Sequence, residues 1–447
     1  MKGLFSGPAY SRANRPDIVG RSPFFYGWVI VGVSALAWLV VFPHQNVLSV
    51  LLEPMSTDLG WTKTQMVGAL SVGAIASGFA SMLIGPLIDR FGARVPMALA
   101  TLLGGAVVLA VSRLDALWQF YLLYGVLFGA LRPAILDLAT GTAIANWFVR
   151  MRGRAFAISL LASPVGTAIL VPLAQYIVTH QGWRQVWVTL ALLMWLLVFL
   201  PVTLLMRRRP EDMGLSPDGA VRATAVQRAD TQTVPSEPPG EEWTAREAVR
   251  TRAFWLIIVA MTLSGAMSGP AAMLFMVPYL TSKGLSPATA ALATSVFAMG
   301  VLGARVMWGL LVERIHVRRV FMLYGVGASS GALLLILSPA WPLAVFAAAA
   351  YFGLFMGGAA VVFNVMWPTY FGRLAIGAIR GYSAPFMALG SAGSPLLVAF
   401  IYDTTLSYRF GYALFVAWYF SSAMVVYFAR PPVRSRSSRA AVAAENP

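Results

Sequence analysis

GPLIDRFGAR, residues 85–94, closes a long apolar run with an acid and two arginines, and GLLVERIHVR, residues 309–318, does so again. Gly85, Asp89, Arg90 and Arg94 in the first copy keep the spacing of Gly309, Glu313, Arg314 and Arg318 in the second, with Gly92 inside the first turn. A charged knot that follows lipid-like sequence marks the end of a span. Its recurrence marks a duplicated chain.

Working outward, the composition fixes the solvent. Of 447 residues 58% are hydrophobic and only 11% charged, far from the mix of a soluble domain. The apolar residues fall in blocks of roughly 20 or more, enough to cross a hydrocarbon layer at about 1.5 Å per residue. The first block, from Phe24, is too long for a signal peptide and lacks a small-residue cleavage site. The pattern predicts an all-α membrane protein with twelve transmembrane helices in two six-helix pseudo-repeats. The first six spans are Phe24–Leu52, Met66–Ile88, Val95–Ser112, Leu117–Phe148, Ala155–Val178 and Gln185–Met206. The second six are Ala253–Leu280, Ala288–Val312, Val320–Leu337, Leu343–Pro368, Gly381–Tyr402 and Gly411–Ala429.

Charge orients the spans. With the N-terminus in the cytoplasm, most of the 33 basic residues fall on that side, including Arg150, Arg152 and Arg154 after the fourth span and Arg373 and Arg380 after the tenth. The other side holds Lys63, Arg113, Arg184, Lys283 and Arg409, and Arg132 and Arg305 remain inside spans. This asymmetry is the positive-inside rule. It accounts for the net charge of +16 without a nucleic-acid partner. Cysteine is absent, which excludes disulfides and thiolate metal sites. Three histidines and no cysteine make no metal or nucleophile constellation, and no phosphate-binding loop is visible; neither an enzyme nor a cofactor is expected.

The halves are a bundle over 24–206 and a bundle over 253–429, with cytoplasmic tails at 1–23 and 430–447. The linker, 207–252, is rich in Pro, Glu, Thr, Gln and Arg, and its end, EEWTAREAVRTRAFW (241–255), reads as a short surface helix leading into the seventh span. An aromatic pair precedes an Arg-Gly in each half: Trp147-Phe148 before Arg152-Gly153, and Tyr370-Phe371 before Arg380-Gly381. At the repeated junctions, the charges suit bridging between neighbouring helix ends, holding one arrangement of the halves and releasing another; the alternative is a topology anchor. Ala69, Gly73, Ser77, Ser81 and Gly85 form a small stripe suited to close contact between the halves.

An arginine at a span centre costs about 2.5–3.5 kcal/mol on insertion scales, so a retained one lines a cavity or has a partner. Arg305 lies eight residues before Glu313, roughly 12 Å along the helix. Its planar fork suits a carboxylate; the alternative is a salt bridge to another helix. Arg132 offers a second cation. Asp137, in four-residue register with Gly125, Gly129, Pro133 and Gly141, is expected on the close-packed face, pointing away from Arg132. Two roles stand for Asp137: a buried proton carrier, or the partner of an arginine elsewhere. His44 titrates near neutrality and suits proton-dependent binding, or a backbone bond at the kink beside Pro43. Asn364 is a further candidate for the path.

GPLIDRFGAR resembles the signature loop between the second and third helices of the major facilitator superfamily, and the likeness extends over the whole chain. FFYGWVIV (24–31) is similar to the opening helix of its monocarboxylate porter and oxalate/formate antiporter group. RRRPEDMGLSPDG (207–219) resembles bacterial members just after the sixth helix, and SPVGTAILVPLAQ (163–175) with GWR (182–184) the group's fifth helix and exit loop. GARVMWGLL (303–311) resembles the eighth-helix segment that carries the substrate-binding arginine of animal monocarboxylate transporters, which puts Arg305 in that role. FPH (42–44) departs from it: His44 stands where those carriers have lysine. Val301 stands where they have aspartate. The span Gly381–Tyr402 lacks the lysine of an oxalate/formate exchanger, which argues against a dicarboxylate.

The resemblance implies secondary transport of a small organic anion, a monocarboxylate, by proton symport and alternating access, with the substrate between the halves near mid-membrane. Anion exchange, a larger or neutral solute such as an aromatic acid, vitamin or drug, and a transport-dead sensor are the rivals. The expected partners are the anion, protons or a counter-anion, and the lipid bilayer. The expected setting is a monomer in a bacterial inner membrane.

Overall fold

The computed structural model describes residues 25–219 and 242–432. The expected N-terminal tail, linker residues 220–241 and the C-terminal tail beyond residue 432 lie outside the described residues. Among those described, twelve helices are long and apolar enough to cross a membrane, and there is no strand. In chain order they are α1 (Gly27–Leu59), α2 (Gln65–Phe91), α3 (Arg94–Val111), α4 (Leu117–Trp147), α5 (Arg152–Gln181) and α6 (Trp183–Leu205). The second repeat is α7 (Arg252–Leu274), α8 (Ala288–Arg314), α9 (Val317–Leu337), α10 (Pro342–Phe371), α11 (Ile376–Thr405) and α12 (Tyr408–Phe428).

Local chemistry starts and stops these helices. Before α2, the Thr62 hydroxyl accepts the Gln65 N–H at 3.2 Å while the Gln65 side chain accepts the Thr62 N–H at 2.9 Å, a reciprocal cap. Gly92, at φ 77°, makes the reversal into α3 that a side chain would strain. Several helices start a few residues before the bounds read off hydropathy, and at two of them a buried arginine lies in the added turn: α5 begins at Arg152 rather than Ala155, and α11 at Ile376 rather than Gly381. The cause is the same at both. Arg152 and Arg380 turn inward and are buried, so the helix continues through a charge that hydropathy takes as its end. The expected surface helix before α7 is the single turn Ala245–Val249, capped by the Thr244 hydroxyl.

Turn residues interrupt α1 at Phe42–Pro43, α4 at Leu136, α7 at Met267–Ser268 and α10 at Gly357. These are the first and fourth helices of each repeat. Such breaks are tolerated at membrane depth where protein or a cavity, not lipid, surrounds the backbone.

Inside the first repeat α1 packs on α5, α2 on α4 and α3 on α6; in the second α7 packs on α11, α8 on α10 and α9 on α12. Two seams join the repeats, α2 against α11 and α5 against α8. The outer faces expose Leu83, Leu196, Leu337 and Phe400, a surface suited to lipid tails. The small stripe on α2 is divided. Gly73 packs on Gly125 of its own repeat, whereas Ser81 meets Gly381 and Gly85 meets Gly377 across the seam.

Candidate substrate cavity and gate

A cavity of about 570 Å³ lies between the repeats, walled by both. Its sides are apolar, with Trp38 and Phe42 from α1 and Phe363 and Trp367 from α10. Its charged residues are Arg132 and Asp137 of α4, Arg305 of α8 and Arg380 of α11. Three guanidiniums therefore face one carboxylate, and the excess favours an anion.

Arg305 crosses the seam. Its Nη1 donates to the Leu160 carbonyl and, at 3.3 Å, to the Ser163 hydroxyl, both on α5, while its buried Nε has no partner. No carboxylate among the described residues pairs with it. The salt-bridge alternative is thus absent from this conformation. Arg132 donates to the Gln45 side chain at 3.2 Å. Asn364 lines the cavity, its amide nitrogen tied to the Ala360 carbonyl at 2.7 Å.

Asp137 is not on a close-packed face. It is exposed and lines the cavity with Arg132. The register carried through α4 fails because Leu136, at φ −105° and ψ −107°, breaks the helix and resets its faces. His44 departs from expectation too. It is 1% exposed, stacked on Phe128 at 5.3 Å, in a narrow crevice shared with Tyr124 and Arg132 rather than on the cavity wall. Its ring nitrogens face the carbonyls of Val40 and Val41 without completing a hydrogen bond.

Arg380 is the cavity residue that the sequence reading missed. It is buried, and a Cβ on Gly141 would strike its guanidinium. Asp137 is the carboxylate that acts on it electrostatically. Its signal is the Arg-Gly echo between the repeats, but hydropathy places Arg380 with the loop arginines.

The repeated junctions close both seams on the side of the linker. Asp89 accepts the N–H of Gly377 at 2.8 Å and of Ala378 at 2.7 Å, so its carboxylate satisfies the open N-terminus of α11. Glu313 accepts the N–H of Arg154 at 2.8 Å and pairs with the Arg154 Nε at 2.8 Å, at the start of α5. Each acid lies four residues after a glycine whose backbone touches a glycine of the other repeat, Gly85 on Gly377 and Gly309 on Gly153. The two latches are copies.

Other members of the motif stay within their own half. Arg94 donates to the Thr203 carbonyl near the end of α6, and Arg318 to the Tyr427 carbonyl at 2.6 Å near the end of α12. They cap helix ends. Arg90 lies over its neighbour Phe91 at 5.2 Å, and Arg314 is exposed. Gly92 supplies only the turn.

The flanks of the linker add contacts that no motif announced. Asp218 accepts the N–H groups of Val149, Arg150 and Met151 at 3.0, 2.8 and 3.2 Å. Glu242 accepts those of Arg373 and Leu374 at 2.7 Å each, in the corresponding loop of the second repeat. Arg373 also donates across the halves to the Asn146 carbonyl at 2.8 Å.

Comparison with known proteins agrees with this architecture. An oxalate:formate antiporter of Oxalobacter formigenes is 23% identical over 70% of this chain and 71% of its own length. Human monocarboxylate transporter 11 is 25% identical over 89% of this chain and 82% of its own. The solved proton:xylose symporter XylE superposes with a TM-score of 0.72 at 14% identity, over 91% of this chain and 96% of that one. The family model of the Major Facilitator Superfamily matches residues 28–286 and 271–447. With twelve spans, two latched repeats and that match, this multi-pass membrane protein belongs to the Major Facilitator Superfamily.

Proposed function

We propose that the protein is a secondary carrier of a small organic anion, a monocarboxylate, taken up together with a proton by alternating access. The observation that carries this reading is Arg305, a guanidinium deep in a cavity walled by both repeats, without a carboxylate partner among the described residues. An unpaired cation at that depth is costly unless a ligand or water meets it, and its fork fits a carboxylate. Arg132 and Asn364 supply further contacts. Asp137, on the same cavity wall, takes the proton; a neutralised anion passes a low-dielectric cavity at lower cost. His44, off the cavity wall, has no part in binding on this reading. Relatives named as an oxalate:formate antiporter and a monocarboxylate transporter support a carboxylate cargo. The working setting is a monomer in a bacterial inner membrane, with both termini and the linker in the cytoplasm. The latches then close the cytoplasmic side.

Purified protein in proteoliposomes tests this directly. Uptake of radiolabelled lactate, pyruvate, formate and benzoate is measured with and without an inward proton gradient, alongside a neutral sugar. We expect at least one acid to accumulate with the gradient and the sugar not to. Accumulation only against a preloaded anion, indifferent to the gradient, would make the protein an exchanger, and uptake of the sugar alone would overturn the anion reading.

A further inference from the structure

We infer that the linker-side ends of α7, α12 and α9 form a binding site for an anionic phospholipid, apart from the cavity between the repeats and independent of what that cavity carries. Two further cavities, of about 760 and 530 Å³, lie side by side there and share Tyr427 as a wall. The first opens between α7 and α12, the second between α9 and α12, and α12 packs against both neighbours. Arg252 and Arg430 line the first, Arg318 and Arg319 the second, and neither wall contains an acid. Arg318 is committed to the end of α12, since it donates to the Tyr427 carbonyl. Arg252, Arg319 and Arg430 are exposed, and among the described residues none of the three makes a side-chain hydrogen bond or ion pair.

The surface beneath the arginines points to a lipid rather than a soluble phosphate. On α7, Arg252 is followed at three and seven residues by Trp255 and Val259; on α9, Arg319 is followed at four and seven by Leu323 and Val326. On α12, Tyr427 is preceded at three and seven by Met424 and Phe420. Such spacings keep each set on one helix face, and all six apolar residues are exposed. The cleft therefore carries charge at the helix ends and apolar stripes below them. A phospholipid has the same order, phosphodiester above and acyl chains below.

This is more than the positive-inside bias, which requires basic residues on one side and says nothing of where they cluster. Four arginines border two adjoining cavities here, whereas Arg90, Arg150 and Arg314 are exposed on the same side and line neither. A basic pocket between spans suits an anionic headgroup, at about fivefold in affinity per arginine. Every helix that contributes belongs to the second repeat, with Trp243 of the linker flank beside them. The site therefore moves with that repeat as one piece, and its affinity should not depend on the latches at Asp89 and Glu313.

The test counts bound lipid by native mass spectrometry, with full-length protein in a neutral detergent titrated with phosphatidylglycerol or phosphatidylcholine. Three arginines at about fivefold each make phosphatidylglycerol the tighter binder by about a hundredfold. Arg252→Gln, Arg319→Gln and Arg430→Gln combined should reduce that preference to within about threefold, and the combination Arg252→Lys, Arg319→Lys and Arg430→Lys should restore most of it, since the charges are kept. Arg90→Gln, Arg150→Gln and Arg314→Gln combined remove the same charge outside the cleft and should leave the preference intact, as should Asp89→Asn. Thermal melting checks that every variant is folded. The inference is overturned if the cleft glutamine variant keeps the preference. It is overturned equally if the outside set loses it to the same degree, which would mean diffuse surface charge. Displacement of bound phosphatidylglycerol by an equal concentration of glycerol 1-phosphate would also overturn it, in favour of a soluble phosphate. Because lipid is counted and not uptake, failure here leaves the anion-carrier reading standing, and failure of that reading leaves this site standing.

Discussion

Arg152 and Arg380 stand at corresponding places in the two repeats, each buried and each followed by a glycine. In the first repeat the guanidinium turns home, donating to the Phe148 carbonyl at 3.0 Å and the Ala145 carbonyl at 3.2 Å in the last turns of α4. In the second it reaches across the molecule to Gly141 and the cavity. Duplication has kept the place of a buried charge and let its work diverge. The latches behave in the opposite way. Asp89 and Glu313 keep the same work, each holding the start of a helix in the other repeat. At the seams on the linker side the copies agree; at the cavity they differ.

The largest expected effect comes from breaking a seam. A Cβ on Gly153 would strike the Gly309 backbone, so Gly153→Val should hold the linker side open and cut uptake about a hundredfold. Because the chain has no cysteine, a single Val312→Cys at this seam reports the opening through labelling by a membrane-impermeant maleimide. Next comes the arginine pair. Arg152→Gln should cost about 1.5–3 kcal/mol of stability through two lost charged hydrogen bonds, seen as a lower melting temperature, with uptake within about threefold of wild type. Arg380→Gln should do the reverse, keeping its melting temperature and losing transport.

The latches should differ less. Asp89 takes two main-chain N–H groups, whereas Glu313 takes one and an Arg154 side chain that is 44% exposed. Screening weakens the exposed partner. In the labelling assay Asp89→Asn should therefore raise opening about tenfold and Glu313→Gln about threefold. Smallest of all are Arg90→Ala and Arg314→Ala, expected to change stability by less than about 0.5 kcal/mol and uptake by less than about twofold.

Much of the fold was legible because lipid is a demanding solvent. It requires apolar runs of set length, and the arginines of the loops declare their side. The latch acids were legible from repetition, and Arg305 from the cost of a guanidinium inside an apolar run. What escaped has local causes. Arg380 sat five residues into a helix whose start hydropathy placed one residue after it. Asp137 was turned to the cavity by a break at Leu136, a residue that carries no break signal of its own, although Pro133 lies three residues earlier. His44 matched a lysine of other carriers in sequence, but alignment does not fix the direction of a ring. Asp218 and Glu242 act on main-chain N–H groups of distant loops, which leave no side-chain pattern to read.

Trp38 and Trp367 on the cavity wall offer a direct test of whether Arg305 holds an anion. Purified protein is titrated with each candidate acid and with its uncharged primary amide, following tryptophan fluorescence. A saturable change with an acid, absent with its amide and lost in a folded Arg305→Gln variant, is the expected result. Equal binding of acid and amide, or unaltered acid binding by Arg305→Gln, would contradict an anion held by that guanidinium.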